Sequence, residues 1–495
     1  MLMNLDNLTT IKVGQLSAKN QLEGLNDRTI LSLRWNAASS GLSAILQVLQ
    51  MVWLARLLTP ADFGWMAMAW VVVRCAAPFF SGGIGQAIIQ QKEISREQFS
   101  TLFWIQMALG ILTFAGVYLS TPLWVAFFDV PEIAVLLLVC GLSFTFAPAG
   151  NAFQALFTRQ MRFDKLALIQ VAGALADLIT SVWLAYSGWG ALSVCWGFFV
   201  RQLVSAIASA WLGKNHVPSL TLSIRLVKPT LKFASFETAN NLVYALHGML
   251  DKAILSRFLS AHDLGLYFIA WELAMTPLSK INPVFTKVSF PLFAKLQDQS
   301  GKLNHYFMEM TRPLLALNLP VLIAISMLSV PLLFAFFGLQ WASAGACLSL
   351  LGVLGLEKVV ANTGAGVFLA KGRSDYNLLW NLVSTGAIFL SIVFFLNQSP
   401  SIESAALAQV VAMGLLFPIW FSLLKKIGNI RIRQLLMVLL RRLVLCIPFS
   451  LALLLSLYWL SSPLAVLTMG LLSALFVYLP TIWLFDRTLI TNLFR

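Results

Sequence analysis

The sequence is short of charge. Asp, Glu, Lys and Arg supply 11% of its 495 residues, against 59% hydrophobic residues and a mean hydropathy of +0.82. A soluble chain of this length carries roughly a quarter charged residues, so a soluble globular fold is excluded. Cysteine is also scarce. All five (Cys75, Cys140, Cys195, Cys347 and Cys446) lie inside apolar stretches without paired spacing, which argues against a disulfide framework or a metal site. Met1 to Arg28 lacks the apolar core and small-residue cleavage site of a signal peptide, so the first span is expected to stay and act as the insertion signal. There is no Gly-x4-Gly-Lys-Ser/Thr loop, no His-Glu-x2-His and no Gly-x-Ser-x-Gly. Those absences speak against direct ATP hydrolysis and leave no enzyme chemistry to assign. The net charge of +14 is spread one or two residues to a loop, which does not suit nucleic acid.

What is present is a series of apolar stretches about 20 residues long, the length that crosses a hydrocarbon core of roughly 30 Å. About 14 such spans can be counted, making the fold class an all-α polytopic membrane protein. The basic residues alternate with them. One set of connections holds Lys92 and Arg96; Arg159, Arg162 and Lys165; Lys214, Arg225, Lys228 and Lys232. It continues with Lys295 and Lys302; Lys371 and Arg373; Lys425, Lys426, Arg431 and Arg433. The opposite connections hold almost none beyond Arg56 and Arg257. The positive-inside bias therefore places both termini in the cytoplasm. The outer connections, such as Ser187-Gly188-Trp189 and Ser461-Ser462-Pro463, are too short to carry a domain. Phe290–Arg312, with Phe293, Leu296, Leu303, Phe307 and Met310 among charges, has the pattern of an amphipathic helix on the membrane surface. Arg431–Arg442 has the same character, and extension of the neighbouring spans is the alternative for both.

The chain repeats itself. Leu54-Ala-Arg56-Leu-Leu58-Thr-Pro60-Ala-Asp62-Phe-Gly64 returns about 200 residues on as Leu255-Ser-Arg257-Phe-Leu259-Ser-Ala-His-Asp263-Leu-Gly265, and Ala69-Trp70 returns as Ala270-Trp271. Each copy closes one apolar run and opens the next, so it is a tight turn between helices. Arg56, Asp62, Arg257 and Asp263 are expected to hold it by local pairing and capping. A second match sets Asn151, Phe157, Arg162 and Asp164 against Asn362, Phe368, Arg373 and Asp375, at an offset about ten residues larger, which the longer Phe290–Arg312 connection accounts for. Spans 1–6 and 7–12 are thus two six-helix lobes crossing in the same sense, related by a pseudo-two-fold axis along the membrane normal, with two C-terminal helices added. The expected division is a cytoplasmic segment 1–32, an N-lobe 33–213, a linker 214–232, a C-lobe 233–427 and extra helices with a cytoplasmic end at 428–495.

Ionisable groups inside a span cost roughly 2.5–3.5 kcal/mol each, so they face a cavity or a partner. Arg74 and Arg201 lie deep in their spans, where either a cavity or an interhelical ion pair would suit them. Glu237, Asn241, Tyr244, Gly248 and Asp251 recur every three or four residues as one polar stripe that would line the cleft between the lobes. Asp251 and Lys252, near an outer end, can pair or snorkel. Glu272 and Lys280 lie in the eighth span and Glu357 in the tenth. Pro78 with Gly82, Gly83 and Gly85, Pro148 with Gly150, and Pro277 and Pro283 mark hinges or close helix packing.

With its two lobes, repeated turn and added helix pair, the chain resembles the bacterial polysaccharide flippases of the multidrug/oligosaccharidyl-lipid/polysaccharide exporter superfamily, whose fold is MATE-like. The run Asp251-Lys-x-Ile-Leu-Ser-Arg257-x-Leu-x5-Leu-Gly265-x-Tyr267, followed by Asn282-Pro283-Val284 and Phe290-Pro291-x-Phe293, is similar to the branch around the colanic acid exporter. The likeness covers about residues 30 to 485 and departs at Gly338-Leu-Gln-Trp341, where relatives often place a charge. It implies a non-enzymatic inner-membrane transporter that moves an undecaprenyl-pyrophosphate-linked oligosaccharide, an exopolysaccharide or O-antigen unit, by alternating access. Arg74, Arg201 and Lys280 would then offset the pyrophosphate, with Asn241 and Tyr244 beside them. Glu237, Asp251, Glu272 or Glu357 would couple transport to H+ or Na+, or hold the basic groups in place. No other cofactor and no metal is implied. The expected partners are membrane lipids and the polysaccharide polymerase and chain-length machinery. A cation-coupled drug antiporter and a peptidoglycan-precursor flippase are the competing readings. The family has no catalytic motif, so the likeness hands no residue a role.

The expected orientation is testable with alkaline phosphatase, which folds only outside the cytoplasm. Fused after Trp189 it should be active, and fused after Arg433 inactive; the reverse pattern would overturn the assignment.

Overall fold

The structure is a computed structural model that describes residue 35 and residues 38–91, 94–297 and 299–485. The described residues form α-helices joined by short turns, with no strand among them. In order they are α1 (Ala38–Leu57), α2 (Pro60–Ala76), α3 (Pro78–Gln90), α4 (Arg96–Phe128), α5 (Ile133–Arg159) and α6 (Phe163–Tyr186). Next come α7 (Leu192–Leu212), α8 (Ile224–Phe258), α9 (Ala261–Lys295), α10 (Ser300–Met327), α11 (Ser329–Phe337) and α12 (Gly345–Ala370). The last are α13 (Ser374–Gln398), α14 (Ile402–Gly428), α15 (Ile432–Trp459), α16 (Pro463–Ser473) and α17 (Leu479–Phe485).

Twelve stretches of the described residues are helical, long and apolar enough to cross a membrane. The expected seventh and eighth spans are not among the twelve, yet each is a continuous 35-residue helix, α8 and α9. Their length suffices; the polar side chains along them lower the apolar content. Leucines such as Leu119, Leu123 and Leu415 stand with more than 70% of their surface exposed, as side chains facing lipid do.

The helices form two compact units. The first comprises the described residues up to Leu54 together with Val72–Leu246, and the second Ala55–Val71 together with His247 onward. Each passage between units falls inside a helix: α1, α2 or α8. The first unit's core sets Ile84 and Ile88 of α3 against Phe99, Leu102 and Phe103 of α4 and Phe153, Leu156 and Phe157 of α5. Val217 to Ser223, within the expected linker, is strapped to the start of α4. There the Trp104 indole donates to the Ser219 carbonyl at 2.9 Å, and the Ser219 and Ser223 amides donate to Ser100 Oγ and Thr101 Oγ1. In the second unit Leu315, Leu319 and Leu322 of α10 pack with Phe449 and Leu453 of α15, and the Tyr478 hydroxyl donates to the Ala316 carbonyl at 2.6 Å. The helices outside the repeat are therefore docked on α10.

The Phe290–Arg312 connection is not a separate surface helix. α9 runs on to Lys295 and α10 starts at Ser300, and Phe293, Leu303 and Phe307 are buried. Likewise α15 is continuous from Ile432, so Arg433, Arg441 and Arg442 belong to a spanning helix. Apolar residues at helical spacing look alike whether they meet lipid headgroups or protein: Phe293, Leu303 and Phe307 meet protein, whereas 432–442 extends a span on which Leu435 is buried and Leu436, Met437 and Leu440 are exposed. Pro78 does interrupt its span, standing at the first position of α3, whereas Pro277 and Pro283 lie within an unbroken α9.

The repeated turn builds one contact from both of its copies, all within the second unit. Thr59 caps α2 and Ser260 caps α9. The Asp62 amide donates to Thr59 Oγ1, and the Asp263 amide to Ser260 Oγ, while each hydroxyl donates back to the aspartate. The glycines then let α2 and α9 touch. A Cβ on Gly64 would overlap the Ala261 carbonyl oxygen, and a Cβ on Gly265 would overlap that of Pro60. These are the same contact read from either side, since the two glycines, and Pro60 and Ala261, occupy matching repeat positions. Gly64→Ala or Gly265→Ala should cost about 2 kcal/mol, as overpacking does, and lower the thermal unfolding midpoint of the purified protein. Gly116→Ala, with nothing within 4 Å of the added carbon, is the control and should not lower it. Equal midpoints for all three would contradict the contact.

Candidate functional site

Two clusters bring together charged groups within the helices, one in each unit. In the first unit, α6 and α7 lie close because Gly197 faces Asp177 and Ser181 while Gly173 faces Ser205 and Arg201. That approach brings Arg201 Nη1 to 3.6 Å from Asp177 Oδ2. Gln50 of α1 donates through Nε2 to Asp177 Oδ1 at 2.8 Å and to Ser181 Oγ at 2.9 Å. The aspartate side chain is 10% exposed and the arginine 29%. Arg201 is thus in the interhelical ion pair that the sequence left as one of two options, yet it keeps a face open. It can offer one edge of its guanidinium to an anion while Asp177 holds the other.

Arg74 occupies the last turn of α2, three residues before the break at Ala77–Pro78, and is exposed. On α8, Asn241 Nδ2 donates to Glu237 Oε1 at 3.5 Å, both side chains partly buried, and Tyr244 is 73% exposed. Glu237, Asn241 and Tyr244 belong to the first unit. The predicted stripe does not stay in one environment, because Asp251, further along the same helix, lies in the core of the second unit.

The second cluster is built on that aspartate. Lys252 Nζ lies 3.4 Å from Asp251 Oδ2, and both residues are buried. The pair does not snorkel. Lys252 also sits over the ring of Trp271 on α9 at 4.2 Å, and Lys358 of α12 approaches the same ring at 5.0 Å. Tyr267 stacks on Trp271 with centroids 6.0 Å apart, and its hydroxyl accepts from Gln409 Nε2 of α14. One indole and one carboxylate therefore stabilise two ammonium groups in the interior. Glu357, next to Lys358, has its Oε2 buried with no hydrogen-bond partner among the described protein atoms. Glu272 is partly buried on α9, and Lys280, further along, is exposed.

The turn residues act on backbone. Arg56 donates through Nη2 to the Ala335 carbonyl at 2.6 Å and through Nε to the Phe336 carbonyl at 2.9 Å, which places a cation on the negative end of α11. In return Gln340 donates to the Ala55 and Leu58 carbonyls and the Trp341 indole donates to Ala55, covering the end of α1. The departure at Gly338-Leu-Gln-Trp341 is therefore a capping device that needs no charge. Gln50 and Gln409 are absent from the residues picked out by sequence, which noted Lys358 only as a charge within its span and Trp271 only as a repeat position.

The profile of the family described as "Polysaccharide biosynthesis protein" matches residues 53–346. The lipopolysaccharide biosynthesis protein WzxC of Escherichia coli (strain K12) is 31% identical over 370 residues, which is 74% of this chain and 75% of that protein. Among solved structures, the lipid II flippase MurJ in an inward closed conformation superposes with a TM-score of 0.74 over 92% of this chain and 99% of its own, at 15% identity. An inward-facing multidrug transporter of the MATE family superposes with a TM-score of 0.63 over 78% of this chain and 96% of its own, at 12% identity. The two structures share the fold, and family and sequence relative agree on the rest: the chain belongs to the polysaccharide biosynthesis protein family, within the superfamily that its repeated turn indicates.

Proposed function

We propose that the protein is a flippase that moves an undecaprenyl-pyrophosphate-linked oligosaccharide, the repeat unit of an exopolysaccharide or O-antigen, across the inner membrane. The observation that carries this reading is the family match over residues 53–346 together with a relative named for lipopolysaccharide biosynthesis. The fold agrees with it, being shared with a protein titled a lipid II flippase. The charge distribution agrees as well. Arg74 is exposed and Arg201 is held ready by Asp177 and Gln50, so the first unit can neutralise a pyrophosphate without burying a lone cation. Alternating access supplies the mechanism, with the substrate's polyprenyl tail remaining in lipid.

The termini lie on the cytoplasmic side in this reading, following the basic connections. Asp251 acts as the counter-ion of Lys252, with Trp271 as a second support, which removes it from the coupling carboxylates. Glu357, half-buried and with its Oε2 lacking a hydrogen-bond partner among the described protein atoms, is the carboxylate best placed to exchange a proton or bind sodium during transport. Polymerase and chain-length proteins are the expected recipients of the product.

Deleting the gene should leave a lipid-linked glycan on the inner face of the membrane, identifiable by mass spectrometry. Unchanged glycans with altered drug sensitivity would sink the proposal in favour of an antiporter, and accumulation of a peptidoglycan precursor would favour that substrate. Among variants, Arg201→Ala strips Asp177 of its charge partner and should destabilise the first unit by roughly 3 kcal/mol, whereas the isosteric pair Asp177→Asn with Arg201→Gln should fold normally. Both that pair and Arg74→Ala should export at least tenfold less surface polysaccharide at equal protein level. Full export by both would remove the arginines from the substrate path.

A further inference from the structure

The segment that joins α7 to α8 carries a pattern that neither charged cluster uses. Ser219-Leu220-Thr221-Leu222-Ser223-Ile224 alternates hydroxyl and aliphatic side chains. The hydroxyl positions are spent on α4 and on each other. Besides the bonds that tie Ser219 and Ser223 to Ser100, Thr101 and Trp104, Ser223 Oγ donates to Glu97, and the Ser219 and Thr221 hydroxyls pair at 2.8 Å. Arg96 completes the strap by donating to the Val217 carbonyl at 3.2 Å. The aliphatic positions are left outside: Leu220 is 87% exposed, Leu222 65% and Ile224 63%. When every second residue is pinned to one helix, the residues between them face away from it.

α4 shows what surrounds those three side chains. Glu97, Ser100, Thr101 and Trp104, three or four residues apart, form the face of α4 that the strap covers. At the same spacing that face continues into Ile111, Leu112, Tyr118 and Leu119, each more than half exposed, as side chains facing lipid are. The strap therefore hides the polar start of a lipid-facing stripe. In its place it presents Leu220, Leu222 and Ile224, which extends the apolar surface over roughly 10 Å of helix. Charge flanks this strip on both sides. Lys214 precedes it and Arg225 and Lys228 follow it on the first turns of α8; all three are exposed, while Val227 and Thr230 on the same turns are buried. The matching connection of the second unit is built otherwise. There Asn304, near the start of α10, accepts from the Arg431 amide at 2.9 Å, and the neighbouring Ile430 turns inward, 1% exposed.

We propose that residues 214–228 anchor the first unit in an anionic lipid leaflet. Leu220, Leu222 and Ile224 enter the acyl region, and Lys214, Arg225 and Lys228 meet the phosphates of phospholipid headgroups. The strap lies on the side of the basic connections, where anionic lipids attract cations next to the membrane. Lysine and arginine stems lie along apolar surface while their heads reach the phosphates, so both parts of the segment can be satisfied at once. The strap runs directly into α8, which passes into the second unit after Leu246, so the anchor also fixes where that helix enters the membrane. The inference needs only the membrane-spanning fold and would stand if another substrate were transported.

The test uses the full chain with Cys75→Ala, the other four cysteines being buried, in vesicles of phosphatidylcholine and phosphatidylglycerol. A nitroxide is attached in turn to Leu220→Cys, Leu222→Cys and Ile224→Cys, and its collisions with oxygen and with a water-soluble nickel chelate are measured. Leu112→Cys serves as the lipid reference and Ser187→Cys as the water reference. The oxygen-to-nickel ratio at the three strap positions should match that of Leu112→Cys and exceed that of Ser187→Cys at least fivefold. A ratio at the level of Ser187→Cys would overturn the anchor and leave an apolar strip for a soluble partner. A bimane on Ile224→Cys then reads the headgroups. Headgroup-spin-labelled phosphatidylglycerol should quench it at least twofold more than the phosphatidylcholine equivalent, and Arg225→Gln with Lys228→Gln should abolish that preference with an unchanged unfolding midpoint. Equal quenching by the two lipids before that change, or a preference that survives it, would overturn the anionic assignment.

Discussion

The structure rests on the contact between α2 and α9 made by the two copies of one turn. Helix ends leave backbone N–H and C=O groups without partners in their own helix, and at this turn the chain itself supplies them. Here Thr59 and Ser260 cap the helix starts, Arg56 covers the end of α11, and Gln340 with Trp341 covers the end of α1. Only after those groups are satisfied can Gly64 and Gly265 let the two backbones touch. Bare glycine is needed because the opposing atom is a carbonyl oxygen, which cannot yield as a flexible side chain would.

The same constraint governs the charges. Asp177 is supported by Arg201 and by Gln50, while Lys252 is supported by Asp251 and the face of Trp271. In the first unit the pair keeps an open edge on the arginine; in the second the groups are closed in on each other. The second unit also holds the half-buried Glu357, whose Oε2 has no hydrogen-bond partner among the described protein atoms.

Much of this was legible in the residues. Apolar run length and the alternation of basic connections gave the helical class, and the Leu-x-Arg-x-Leu-x3-Asp-x-Gly repeat gave the internal duplication and the family. Asp62 and Asp263 could be read as capping residues because capping is local. Contacts between distant segments were not legible. Nothing in the spacing says that Gly64 meets Ala261, that Gln50 reaches Asp177, or that Lys358 shares an indole with Lys252. The stretches 290–312 and 431–442 carry an apolar pattern that fits a membrane surface as well as a protein interface, and packing alone decides between them.

The most direct test of the central claim is transbilayer movement in a purified system. Proteoliposomes holding the intact protein and the lipid-linked oligosaccharide of its own cell are exposed to a membrane-impermeant enzyme that cleaves the glycan. The account predicts that the whole lipid-linked pool becomes cleavable when the protein is present, and only the outer-leaflet fraction when it is absent. Cleavage limited to the outer leaflet in both, with the protein folded and both H+ and Na+ gradients supplied, would contradict it.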